Sequence, residues 1–161
     1  MTREGIKKAG IIKYIVSVLI VAFIVVLMLY TSGSSKSFDE IKKAVVLALD
    51  KSNLQERDTA SFKRDTGLNA ADYAAVMYYA SDSNISAEEV LLIEVKSKGQ
   101  IQEVTQAVEA RIASRINDFD GYAPEEVKLL EDAKMSVRGE YIFLAVAPKA
   151  EEYLSAFRNS L

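Results

Sequence analysis

The sequence predicts an α+β domain carried behind an N-terminal transmembrane helix. Three observations predict it. An uncharged apolar block fills Tyr14–Tyr30, two pairs of apolar strand-like runs flank one long amphipathic segment, and helical apolar stripes open and close the rest. Hairpin-like pairs separated by a helix imply an antiparallel sheet of about four strands in the order β-β-α-β-β. Its helices are expected mostly on one face.

The 161 residues include no His, no Cys and no Trp. Triads and dyads built on His or Cys are therefore excluded. So are zinc fingers, iron–sulfur clusters and His- or Cys-ligated haem. Without disulfides the fold rests on its core alone. No cofactor is expected.

Twelve of the seventeen residues in Tyr14–Tyr30 are Ile, Val, Leu or Phe, and no charge occurs between Lys13 and Lys36. A helix over 9–30 would be about 33 Å long, enough to cross a hydrocarbon core of ~30 Å. Lys13 can snorkel to the headgroups, and Tyr14 and Tyr30 sit where interfacial aromatics anchor a span. The stub 1–13 carries Arg3, Lys7, Lys8 and Lys13 against Glu4, whereas 14–161 is net −6. The positive-inside rule places the N-terminus in the cytoplasm and the rest outside the cell membrane. The run exceeds the usual h-region of a cleaved signal peptide, which favours a signal anchor. Residues 31–36 are a polar linker. The acidic domain at 37–161 is a poor match for nucleic acid.

Within that domain, Ser37 and Glu40 form a capping box for a helix whose stripe is Phe38, Ile41, Val45, Ala48 and Leu49. Residues 51–69 read as irregular, with a turn of helix at 62–66 ended by Gly67. Asp72–Tyr79 reads as a strand, and so does Glu89–Lys96, whose continuous apolar middle suits burial on both sides. From Lys98 to Asn117, Ile101, Val104, Val108, Ile112 and Ile116 recur at helical spacing. Pro124-Glu125-Glu126 suits a helix start, with the helix running to about Asp132. Met135–Val137 and Glu140–Ala147 read as a hairpin around Arg138-Gly139, and Lys149–Asn159 as a closing helix.

The order of several phrases carries a resemblance. They are Ser37-Phe38-Asp39-Glu40-Ile41, the aspartate-led strand Asp72–Tyr79, and Ser86-Ala87-Glu88-Glu89 running into Val90–Ile93. The helix bearing Arg111 and Arg115 follows, then Phe119-Asp120-Gly121-Tyr122-Ala123-Pro124-Glu125 and the glycine hairpin Arg138-Gly139 running into Glu140–Val146. Together they resemble the domain of unknown function 4358 family of Gram-positive bacterial membrane-anchored proteins and lipoproteins, over about 37–160. This chain lacks the lipobox Cys of the lipoprotein members, so a helix would replace the lipid. The resemblance implies an envelope location and a bacterial origin, but no chemistry.

Candidate sites are few. No G-x-G occurs among the seven glycines. Asn117–Gly121 fails as a calcium loop, because in EF-hand register Ile116 and Val127 would stand at ligand positions. Ser32, Ser34, Ser35 and Lys36 superficially resemble a Ser-Lys hydrolase, without the flanking residues of membrane signal peptidases or a preorganised pocket. Arg111 and Arg115, one helical turn apart, can grip a carboxylate or phosphate on a partner, or pair within the chain with Glu125, Glu126 or Asp118. Tyr122 is either an exposed recognition aromatic or a plug holding its loop to the core. Tyr73, Tyr78 and Tyr79 suit core packing better than a sticky strand face. The expectation is a single-pass protein with a non-enzymatic extracytoplasmic interaction domain. Its partners are the bilayer and an unknown envelope protein, or itself if it is a ring- or oligomer-forming envelope or sporulation assembly module.

Overall fold

The computed structural model describes residue 20 and residues 36–161. The predicted span 9–30, with Lys13, Tyr14 and Tyr30, and the linker serines lie outside the described residues, Ile20 alone excepted. Among the described residues no helix is long and apolar enough to cross a membrane.

The capping box forms at the start of α1 (Phe38–Ala48): the Ser37 amide and hydroxyl donate to Glu40 Oε2 at 3.0 and 3.1 Å. Then come β1 (Leu54–Glu56), α2 (Thr59–Thr66), a 3₁₀ turn (Ala70–Asp72), β2 (Ala75–Ser81) and β3 (Glu89–Glu94). The chain continues through α3 (Gln100–Phe119), α4 (Pro124–Glu131), β4 (Lys134–Arg138), β5 (Tyr141–Val146) and α5 (Ala150–Asn159). The sheet has five strands rather than about four, all antiparallel, in the order β1-β2-β3-β5-β4.

The segment 51–69 is not irregular. It holds the short edge strand β1, whose Leu54 is buried, and α2, which Asp58 caps by accepting from the Ser61 amide at 2.8 Å. The strand expected at Asp72–Tyr79 begins at Ala75, because Asn69 and its neighbours close a 3₁₀ turn first.

Helices cover both faces of the sheet, which corrects the one-face expectation. The reason lies in the strands, where successive residues alternate between two apolar cores. Val90, Leu92, Phe143 and Ala145 join Ile41 and Val45 of α1 and Tyr153, Leu154 and Phe157 of α5. Leu91, Ile93, Ile142 and Leu144 join Phe62 of α2, Val104 and Val108 of α3, and Leu130 of α4. Phe143 stacks on Phe157 at 4.9 Å, nearly parallel. Tyr73, Tyr78 and Tyr79 are all buried.

The strand directions give the domain two distinct ends. At one end the Tyr141 hydroxyl lies 3.1 Å from both the Lys36 carbonyl and Glu94 Oε1. Burial and the neighbouring Glu94 charge push the Tyr141 phenol up to about 12, so it remains a donor at neutral pH. The start of α3 is pinned at the same end, where Gln100 Nε2 donates to the Asp72 carbonyl at 3.0 Å. β3 spans roughly 17 Å between this end, at Glu94, and the opposite end, at Glu89. There the β2–β3 loop, the C-terminus of α3 and the start of α4 meet.

Candidate functional site

That opposite end holds a cleft of ≈ 320 Å³ whose walls include Arg57, Arg64, Asp65, Asp82, Arg111 and Arg115. Its floor is a charged network buried between sheet and helices. Glu89 opens the central strand β3 and is only 2% exposed. Arg111 reaches it from α3: Nε donates at 2.9 and 3.0 Å to the two carboxylate oxygens, and Nη2 lies 2.7 Å from Oε2. Arg111 Nη1 donates to the Asp65 carbonyl at the end of α2, and Nη2 to the Tyr78 hydroxyl at 3.1 Å. The Tyr78 hydroxyl has one proton to share between Glu89 Oε2 at 3.1 Å and Asp65 Oδ2 at 3.2 Å.

Four elements therefore meet at one ion pair. Burial opposes the Arg111 charge, but Glu89, Tyr78 and Asp65 outweigh it and hold its pKa above the ordinary guanidinium value. Burial, reinforced by Glu89, drives the Tyr78 phenol far above its usual range, so it is neither base nor nucleophile at neutral pH. A buried charge needs such pairing, and the network fixes α2 and α3 against the sheet.

Arg115, one turn further along α3, is placed differently. Its Nη2 donates to the Ser86 carbonyl at 2.8 Å, and the guanidinium lies 4.6 Å from the Phe119 ring centroid. Its Nε is buried without an acceptor, and no carboxylate lies within ion-pair distance among the described residues. Neither arginine takes the acids Glu125, Glu126 or Asp118 as its partner. Glu126 instead accepts from the Ala87 amide at 2.6 Å, so Arg115 and Glu126 clamp the β2–β3 loop from two sides.

The clamped loop exposes Ile85 at 70%, and Tyr122 beside it is 61% exposed. Tyr122 does not plug its loop into the core, although its ring leans on Phe119 at 5.7 Å. Ile85, Tyr122 and Pro124 line a second, more apolar cleft of ≈ 360 Å³. Both clefts take residues from the β2–β3 loop, Ser83 and Ser86 lining the first and Ile85 the second.

Of the cleft's charged residues the sequence singles out only Arg111 and Arg115; Glu89, Arg57, Arg64, Asp65 and Asp82 join them through the fold. Glu89 looked like a polar strand boundary, though a carboxylate leading directly into four apolar residues was a usable signal. Arg57 makes a 2.6 Å pair with Asp82 in the cleft wall, and nothing local in the sequence signals it. Asn117–Phe119 are the last turn of α3, and among the described residues no group of three or more acids could hold a metal ion.

No curated protein and no solved structure matches the chain. One family model does, described as a domain of unknown function (DUF4358), over residues 47–147. That span runs from the last turn of α1 to just beyond β5, taking in every strand, both clefts and the Glu89–Arg111 network. It covers more than half of the sequence, and on that ground the chain belongs to the DUF4358 family.

Proposed function

We propose that the protein is a single-pass membrane protein whose span at 9–30 holds residues 37–161 outside the cell, and that the domain acts by binding a partner protein at its tether-distal end. One observation carries the reading. The arginine cleft and the exposed apolar residues Ile85 and Tyr122 gather at the sheet end opposite Lys36, through which the linker enters. Exposed aromatics beside an arginine form the usual composition of a binding hot spot. The saturated Glu89–Arg111–Tyr78 floor suits a rigid scaffold for binding.

A photo-crosslinking residue placed at Tyr122 in the intact chain, in cells, tests the binding face. The expected result is a discrete heterologous adduct that the same probe at Glu140, beside the tether, does not give. Adducts of the chain with itself would turn the reading to a self-assembling module, and identical patterns from both positions would defeat it. Topology is read separately, from a reporter fused after Leu161 that should be active only outside the cell.

A further inference from the structure

We infer that Arg115 is the receptor for a carboxylate of the partner, so the distal end takes an acidic peptide segment with an apolar neighbour seated at Ile85 and Tyr122. This rests on the binding reading above and names its ligand chemistry.

The ion pairs of the cleft single out one cation. Arg111 is neutralised by Glu89, Arg57 by Asp82, and Arg64 by the adjacent Asp65. Glu88 belongs to the cleft wall, but its carboxylate accepts from Asn53 Nδ2 at 3.1 Å and has Glu126 and Asp50 as its charged neighbours. Arg115 is left as the cation without a counter-ion among the described residues lining the cleft. A guanidinium offers five N–H donors in a planar fork, and among the described residues the Ser86 carbonyl is the one acceptor that Arg115 meets. The Phe119 ring and the Ser86 carbonyl fix its plane, so little side-chain entropy remains to be lost on binding. Nε is closed off, which leaves the η nitrogens to meet a ligand.

The same pairing selects the anion. One unpaired guanidinium matches a single carboxylate, and the carboxylates of Asp65, Asp82, Glu88 and Glu89 around the cleft disfavour a phosphate dianion. The apolar cleft is lined by Ile85, the residue next to the Ser86 whose carbonyl Arg115 holds, so the neighbouring residues of an extended chain bound at Arg115 can reach it. A peptide supplies both chemistries, whereas a free anion supplies only one.

The test is an NMR titration of the full chain in a neutral detergent, followed through arginine Nε–H and Tyr122 signals. The probes are an acetylated, amidated Leu-Glu-Leu tripeptide, its Leu-Gln-Leu counterpart and inorganic phosphate. The glutamate peptide should give saturable shifts at Arg115 and Tyr122, with Arg111 unmoved, and the glutamine peptide should bind about tenfold more weakly. Arg115→Gln should abolish the difference between the two peptides, and Arg115→Lys, which keeps the stem and charge, should recover part of it. Equal binding of both peptides would overturn the carboxylate role while leaving a binding face intact. Phosphate binding as tightly as the glutamate peptide would overturn the choice of anion. No saturable shift with any probe would overturn the assignment of this cleft, whereas the binding reading itself fails only in the Tyr122 crosslink.

Discussion

A guanidinium in a protein interior is tolerated only while its counter-charge stays beside it. The Arg111 side chain is 15% exposed and that of Glu89 is 3% exposed. Glu89→Gln removes the charge but keeps the shape, stranding Arg111. The expected loss is about 3–5 kcal/mol of unfolding free energy, read by chemical denaturation. Replacing both partners, Glu89→Leu with Arg111→Met, should lose less than the single change, because no orphaned charge remains. A loss below about 1 kcal/mol for Glu89→Gln would mean that the pair is solvated. The sequence singled out both arginines but not their separate fates. Glu89 is 22 positions from Arg111 and meets it only because β3 and α3 pack face to face. The acids nearer in sequence point elsewhere.

At the scale of elements, α2 shows how local chemistry ends a helix. Gly67 adopts φ 76°, and its amide donates to the Lys63 carbonyl at 2.9 Å. A Cβ there would meet nothing within 4 Å, so the cost of Gly67→Ala is purely conformational. About 1–2 kcal/mol is expected, seen as a lowered thermal midpoint without loss of the Arg111 network; an unchanged midpoint would contradict the left-handed cap. The glycine, the Ser37 capping box and Pro124 at the start of α4 were all readable, because each acts within three or four residues. β1 was not, since a three-residue strand with one buried side chain is too short to display alternation. The continuous apolar run of β3 foreshadows helices on both faces, and β5 is buried at all six positions for the same reason.

For the whole molecule, the matched span 47–147 omits most of α1 and all of α5, the two helices that cover one face of the sheet. Without them Val90, Leu92 and Phe143 would face water across three central positions. Residues 47–147 produced alone should show no cooperative unfolding and should bind hydrophobic dyes, whereas the full chain unfolds cooperatively. A sharp transition in the fragment would show that one apolar layer suffices. For the distal end, the sequence singles out Arg115 and Tyr122 but not the residues that join them. That end gathers Arg57, Ile85, Arg115 and Tyr122 from four separate stretches, and only the strand directions bring them together.

Lys36 and Asn159–Ser160 line one shallow depression between α1 and α5. The two ends of the described fold thus lie side by side. A short peptide could join them, and new ends opened between Ser83 and Asn84 would give a circular permutant with every strand pairing kept. Such a chain would carry its ends beside the arginine cleft, so anything fused to them would stand at the partner face instead of at the opposite end of the sheet.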